Sequence, residues 1–274
     1  MAAIRTNKLV TALLLFASLA VLFPLFLTVL VAMKTAPETA KSFIALPSKL
    51  YFGNFQGVFE KVDYGKALFN SLVITGCSVV LVLLTNSMVG YAVARNMHRK
   101  FFKAVYYYLV SGMFVPFNII MLPLIKLLHG ASMNNFTGLI LGYMFFGLSQ
   151  NVFLTVGYLH SVPKELEESA VIDGASVWQT FWKVIFPLMK PINATISVFT
   201  MLLVWNDFLL PMLMIRDKSQ MTLPLIQFVF QGQFNTDYGL AFASYLMALL
   251  PAVLFYIFAQ KWIISGLTSG AVKS

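Results

Sequence analysis

Residues 9–33 contain no charged side chain, and the same holds for residues 67–94, 104–125, 127–163 and 238–260. A helix needs about 20 largely apolar residues to cross the hydrocarbon core of a bilayer, at a rise of about 1.5 Å per residue. Each run is long enough. In the longest run the polar turn Gly130-Ala131-Ser132-Met133-Asn134-Asn135 comes first, and the span follows at 138–161. A sixth segment, 192–215, is interrupted by one charge, Asp207. Hydrocarbon offers the backbone no hydrogen-bond partners, so only helices and closed barrels cross it, and these runs are too long for barrel strands of about ten residues. The expectation is an all-α membrane protein of six transmembrane helices, spans at 9–33, 67–94, 104–125, 138–161, 192–215 and 238–260, forming a single domain.

Composition agrees. Hydrophobic residues make up 59% of the chain and charged residues 11%, against about 25% charged in soluble domains. The net charge of +9 does not point to nucleic acid, because basic residues interleaved with spans set orientation and touch anionic lipid head groups. The single cysteine, Cys77, excludes an intrachain disulfide and reads as a small buried hydrophobe. Arg5 and Lys8 ahead of the first run imitate a signal peptide, but 25 charge-free residues exceed the usual apolar core of about 7–15. The first span is expected to be an uncleaved anchor.

Six spans put both termini on one side, and Lys and Arg accumulate on the cytoplasmic side of membrane proteins. The termini and the loops at 95–103 and 160–191 carry eleven of them, the remaining three loops eight. Five of those eight lie in the first outer segment, 34–66, which has its own acids Glu38, Glu60 and Asp63. A segment of that length crosses despite its charge. Both termini are therefore expected in the cytoplasm. Pro24, Pro116, Pro123 and Pro251 fall inside expected spans, where each removes a backbone hydrogen bond and tends to kink the helix.

The loop at 161–191 is the most informative segment. Pro163 and the acids Glu165, Glu167 and Glu168 fit a first helical turn, where negative charge meets the positive end of the helix dipole. Asp173-Gly174 stops that helix, since glycine tolerates the left-handed backbone of a terminating residue. Ser176 and Gln179 have capping-box spacing and start a second helix. Its apolar residues Trp178, Phe181, Trp182 and Ile185 form one stripe, ended by Pro187, that suits an element lying at the membrane interface.

Glu168-Ser169-Ala170, three residues, Gly174, nine residues and Val184-Ile185-Phe186-Pro187 together resemble the EAA loop of permeases from binding-protein-dependent ABC importers. Ser169, Val184 and Phe186 depart conservatively from that pattern, while Glu168, Ala170, Gly174 and Pro187 match. Ile172-Asp173-Gly174-Ala175-Ser176, Trp205-Asn206-Asp207-Phe208-Leu209-Leu210-Pro211 and the tail 265–273 look like the MalG-type permeases of carbohydrate importers. The resemblance implies a cytoplasmic helix-turn-helix that couples to an ATPase through Glu168, Ala170, Asp173, Gly174, Ala175 and Pro187. It also implies a tail contacting that ATPase through Gly270 and Lys273, and an outer loop at 216–238 that reaches a sugar-binding protein. The implied partners are a second permease subunit, two ATPase subunits and an extracytoplasmic sugar-binding protein, in a bacterial cell membrane. Because no G-x-x-x-x-G-K-[ST] phosphate loop occurs in the chain, ATP and Mg would be used by the partner ATPases and no cofactor, metal or catalytic group is expected here.

Polar residues inside the spans are the remaining candidates. Asp207, beside Asn206, lies roughly 22 Å along the fifth span. An acid there faces the bundle or a watery path, or else snorkels or pairs; both readings stay open. Ser149-Gln150-Asn151 stands near the middle of the fourth span, where amides hydrogen-bond sugar hydroxyls or join neighbouring helices. The second use is preferred, because in the maltose importer the sugar is held mainly by the other permease subunit. Gln150, Asn151, Asn206 and Asp207 are the candidate translocation path.

Two other classes of membrane protein fit the sequence less well. An intramembrane serine protease would need a buried histidine beside a serine such as Ser149, and His98, His129 and His160 all lie at span ends. An ion-coupled secondary transporter would show several intramembrane charges and inverted repeats.

Overall fold

The computed structural model describes residues 8–230 and the backbone of 237–271, with side chains through 257 and at Gln260. All regular structure among the described residues is helical. Helix α1 (Lys8–Ala32) fills the first expected span and passes Pro24 as one helix. Helices α2 (Ala36–Lys41) and α3 (Gly53–Lys61) fold the first outer segment. Helix α4 (Tyr64–Arg95) extends beyond the second expected span at both ends.

The third expected span is not one helix. Helices α5 (Lys100–Gly112) and α6 (Phe117–Gly130) divide it and meet at 109°. Pro116 supplies no N–H to a helix running through it and disfavours helical backbone at Val115. It becomes the N-cap of α6 instead. Helix α7 (Phe136–Leu159) is opened by Asn135, whose side chain accepts from the Gly138 N–H at 3.2 Å.

Next come α8 (Glu165–Ile172), α9 (Val177–Thr180), a π turn (Phe181–Ile185) and α10 (Phe186–Leu188). Helix α11 (Lys190–Asn206) then departs at 76° from the axis of Val177–Leu188. The fifth expected span, 192–215, is also broken: α11 ends at Asn206, Asp207 is extended, and α12 (Leu209–Met214) follows. A 3-10 turn (Lys218–Gln220), α13 (Leu223–Val229) and α14 (Tyr238–Ala271) complete the chain. By length and composition four helices can cross a membrane alone, or six spans result if the pairs Lys100–Gly112 with Phe117–Gly130 and Val177–Leu188 with Lys190–Asn206 each count as one.

The chain divides into two units, the first being Met1–Gly65 with Leu225–Pro251. Most of α1 exposes its apolar side chains, as a helix in contact with hydrocarbon can. The outer segment after it is knitted by side chains bonding to backbone. The buried Lys34 Nζ donates to the carbonyls of Ser42 and Phe43 at 3.0 and 3.1 Å. Asn54 Nδ2 donates to the carbonyls of Ala32 and Lys34 at 2.9 and 2.8 Å. Tyr64 Oη donates to the Met247 carbonyl at 2.8 Å and so ties this segment to α14.

The second unit comprises Lys66–Pro224 and Ala252–Ser274. Its core joins Val93 of α4, Val152, Val156 and Leu159 of α7, Phe181 and Ile185 of the π turn, and Ile192 and Ile196 of α11. Helices α4 and α7 approach so closely that a Cβ at Gly90 would stand 2.5 Å from Thr155, the small-residue packing expected of membrane helices. Ser87 Oγ donates to Asn193 Oδ1 at 3.2 Å, joining α4 to α11. Cys77 departs from expectation, because its side chain is exposed. In a membrane helix an outward face meets lipid or another subunit, so a small apolar residue gains nothing by turning inward.

Candidate functional site

The segment after α7 begins with a clamp. Glu167 projects from the first turn of α8 towards the end of α4. Arg95 Nε donates to its Oε1 at 2.6 Å, and Tyr91 Oη donates to its Oε2 at 2.8 Å. The two remaining guanidinium nitrogens donate to the carbonyls of Leu159 and Val162 at 3.0 and 3.3 Å. Leu159 is the last residue of α7, whose final carbonyls have no partners within the helix. Both carboxylate oxygens and all three guanidinium nitrogens are thus used, in the geometry that makes charged hydrogen bonds strong.

The turn at the far end of α8 follows from one glycine. The Gly174 N–H donates to the Val171 carbonyl at 3.0 Å and the Ala175 N–H to the Ala170 carbonyl at 2.9 Å, the paired bonds of a Schellman terminus. That terminus needs a left-handed residue, and Gly174 has φ of 81°. Two residues on, Ser176 and Gln179 close the expected capping box: the Gln179 N–H donates to Ser176 Oγ at 3.3 Å and the Ser176 N–H to Gln179 Oε1 at 2.8 Å. The helix then widens into its π turn before Pro187. Proline cannot donate to the carbonyl four residues back and its ring crowds that carbonyl, so the turn ahead of it opens.

The expected apolar stripe splits in two. Phe181 and Ile185 are buried in the core of this unit, Trp182 is half-buried and Trp178 is exposed. The reading of the stripe as one interfacial face is therefore corrected, because Phe181 and Ile185, ahead of the bend at Met189, pack with residues of α7 and α11. Exposed apolar side chains gather instead on either side of Gly174. Val171 is 60%, Ile172 85%, Val177 72% and Trp178 65% exposed. Glu168 and Asp173 are exposed beside them, and Ala170 and Ala175 are half-buried under the turn. Pro187 lies at the opposite end of the second helix, so it shapes the bend while the other five candidates share the turn and its approach.

The four intramembrane candidates do not form one network. Gln150 is exposed and Asn151 is buried on neighbouring positions of α7. Asn206 Nδ2 donates back to the Leu202 carbonyl of its own helix at 2.8 Å. Asp207 stands at the break in the fifth span: its Oδ1 accepts from the Leu209 N–H at 3.0 Å, and its Oδ2 accepts from Tyr143 Oη at 2.9 Å. Its carboxylate thus both starts α12 and ties it to α7. Lys273 lies outside the described residues, as do the Gly270 environment and residues 231–236 of the outer loop.

Sequence reasoning missed Arg95, Tyr91, Glu167 and Tyr143 as site residues. The available signal was an arginine and a tyrosine spaced four apart at the end of a span. Among the described residues no group of three or more His, Cys, Asp or Glu could hold a metal ion.

Comparison with known proteins places this geometry. Residues 86–268 match the family described as binding-protein-dependent transport system inner membrane component. The multiple sugar-binding transport system permease protein MsmG of Streptococcus mutans is 40% identical over 256 residues, 92% of each chain. The melibiose/raffinose/stachyose import permease protein MelC of Bacillus subtilis is 33% identical over 98% of each. The fold is shared with a chain of a bacterial ABC transporter involved in the import of the acidic polysaccharide alginate. That likeness has a TM-score of 0.82 at 21% identity, over 95% of this chain and 99% of the other. The family match covers more than half of the sequence and the relatives nearly all of it, so this chain belongs to the binding-protein-dependent transport system inner membrane components.

Proposed function

We propose that the chain is one of two permease subunits of an ATP-driven importer of neutral di- or oligosaccharides in a bacterial inner or cytoplasmic membrane. In this reading it forms part of the translocation path and performs no hydrolysis. Two ATPase subunits use ATP and Mg, and an extracytoplasmic binding protein delivers the sugar. Both termini and the loop 161–191 face the cytoplasm, in keeping with the excess of Lys and Arg on those segments. The sugar class rests on the relatives, which are named for multiple sugars and for melibiose, raffinose and stachyose.

The observation that carries coupling is the exposed apolar turn around Gly174. Contiguous exposed apolar groups with a charged border mark a protein contact, and here they sit on a helix pair anchored at its base by Arg95. A partner that moves the turn moves α8, and through Glu167 it moves the ends of α4 and α7. Gly174, Asp173 and Glu168 would transmit ATPase motion without taking part in hydrolysis. Reconstituting the complete importer in vesicles tests the reading. Uptake of labelled oligosaccharide is expected to follow ATP inside the ATPase-facing compartment and to ignore an imposed ion gradient. Uptake driven by the gradient alone would overturn it.

A further inference from the structure

The break between α5 and α6 leaves a cavity of about 280 Å³ against the middle of α7. Gly112, Phe145, Phe146, Ser149, Gln150 and Leu203 line it, and no charged residue does. Phe146 stacks edge-on with Phe117 at 4.5 Å between ring centroids, which fixes the aromatic wall. Phe145 is 56% exposed. Gln150 is exposed and Ser149 half-exposed, and neither side chain bonds to a described residue.

An amide with open donors and acceptors is costly when it faces hydrocarbon. A cavity holding both an amide and a hydroxyl therefore faces water, a ligand or a neighbouring subunit that satisfies them. Amide and hydroxyl each donate and accept, as the hydroxyl groups of a sugar do. The phenylalanine rings offer the flat apolar surface against which the C–H face of a sugar ring packs, and apolar walls with a few convergent polar groups are the usual make-up of a ligand pocket. Because the lining has no cation, a carboxylate entering it would lose water without gaining a counter-charge.

We propose that this cavity is a subsite for one neutral sugar ring on the translocation path, with Gln150 and Ser149 as its hydrogen-bonding groups and Phe145 and Phe146 as its stacking wall. The proposal rests on the importer reading above. It goes further in placing substrate contact on this subunit, and it separates Gln150 from the buried Asn151 and from Asn206, which is bonded within its own helix.

The test uses the complete importer in nanodiscs, with Cys77→Ser as background and Leu203→Cys, on the lining but not among the proposed sugar contacts, as the reporter. Maltotriose, raffinose, melibiose and a glucuronate disaccharide are screened, and the neutral sugar that stimulates ATP hydrolysis serves as the probe. With the transporter trapped by vanadate, that sugar is expected to slow labelling of Leu203→Cys by a small neutral thiol reagent at least fivefold, while the glucuronate does not. In the same importer reconstituted in sealed vesicles, Gln150→Leu is expected to cut stimulated uptake about tenfold with full ATPase content. Stimulation without protection overturns the subsite alone. Loss of subunits from the Gln150→Leu complex marks the amide as an assembly contact and also overturns it. If no sugar stimulates hydrolysis, the importer reading fails and the subsite with it.

Discussion

Arg95 and Glu167 meet at 2.6 Å across 72 residues of sequence, and the same guanidinium holds the carbonyls of Leu159 and Val162. One side chain thereby joins the end of α4, the end of α7 and the start of α8. The two side chains are 12% and 15% exposed, so the pair is largely shielded from the water that weakens surface ion pairs. The cation also sits at the negative end of the α7 dipole. Motion of the loop has no slack at this point.

Arg95→Lys is expected to loosen α8 although it keeps the charge, because a lysine cannot direct three donors along the guanidinium plane. Removing one partner of a shielded pair outright costs about 3–5 kcal/mol, and Arg95→Lys, which keeps the pair and loses its directed bonds, is expected to cost less than that. Amide exchange across Glu165–Ile172 in the purified complex should rise accordingly, and sugar-stimulated hydrolysis should lose its link to uptake. Glu167→Gln should do at least as much, since it leaves the shielded guanidinium without a counter-charge although its amide oxygen still accepts one bond. Unchanged exchange in Arg95→Lys would show that the clamp does not hold the loop.

Gly174 separates backbone strain from crowding. Its φ of 81° disfavours any side chain, yet a Cβ there meets nothing of this chain within 4 Å. Asparagine enters the left-handed region more readily than a β-branched residue. Gly174→Asn should therefore fold with a loss of about 1 kcal/mol or less, and Gly174→Val with more. If the turn docks in a partner, both variants should retain fewer ATPase subunits on purification while inserting normally. Full retention and coupled uptake in Gly174→Val would remove the turn as the coupling contact.

Local chemistry made the loop legible before the structure. The acids at the start of α8, the glycine after Asp173 and the Ser176–Gln179 spacing each act within a few residues, and each takes its expected place in the fold. The Arg95 clamp was hidden because its partner lies far along the chain. The breaks at Pro116 and Asp207 were hidden for another reason. Hydropathy measures the apolar length of a segment but not its direction, so two short apolar helices at 109° read as one span. The proline was visible as a source of kinks, but whether a span bends or stops depends on packing around it. Likewise an acid in a span reads as a path residue until its cap and its tyrosine are seen.

Asp207 is expected to tolerate asparagine better than alanine. Asparagine keeps an acceptor oxygen for the Leu209 N–H and presents an amide N–H that can donate to Tyr143 Oη, while alanine leaves both partners unpaired. The loss in Asp207→Ala is about 1–3 kcal/mol, read as a lower melting temperature of the complex and impaired uptake. Tyr143→Phe should lose only the tyrosine bond. If Asp207→Asn fails as badly as alanine while melting like the parent, the charge itself has a transport role.

Glu38 makes the outer segment sensitive to acid. Its carboxylate accepts first from the Ser48 hydroxyl and N–H, then from the N–H and hydroxyl of Thr35. These bonds favour the ionised form and hold its pKa at about 2, against an ordinary value of 4.5. A value lowered by folding stabilises the folded segment fully above the ordinary pKa, and that contribution disappears as pH falls towards the lowered one. The window is therefore between 4.5 and about 2. Opening of residues 35–48 would expose Phe43, Ile44 and Leu46 to pepsin, which works throughout that range. In the intact importer, cleavage there, normalised to an unfolded peptide of the same sequence, should climb as pH falls from about 5 towards 2. Glu38→Gln cannot ionise, so its cleavage should already be high at the top of the window and should change little below it. A parent protein whose normalised cleavage stays flat across the window, or a Glu38→Gln variant that tracks it, would mean that Glu38 does not fasten this segment.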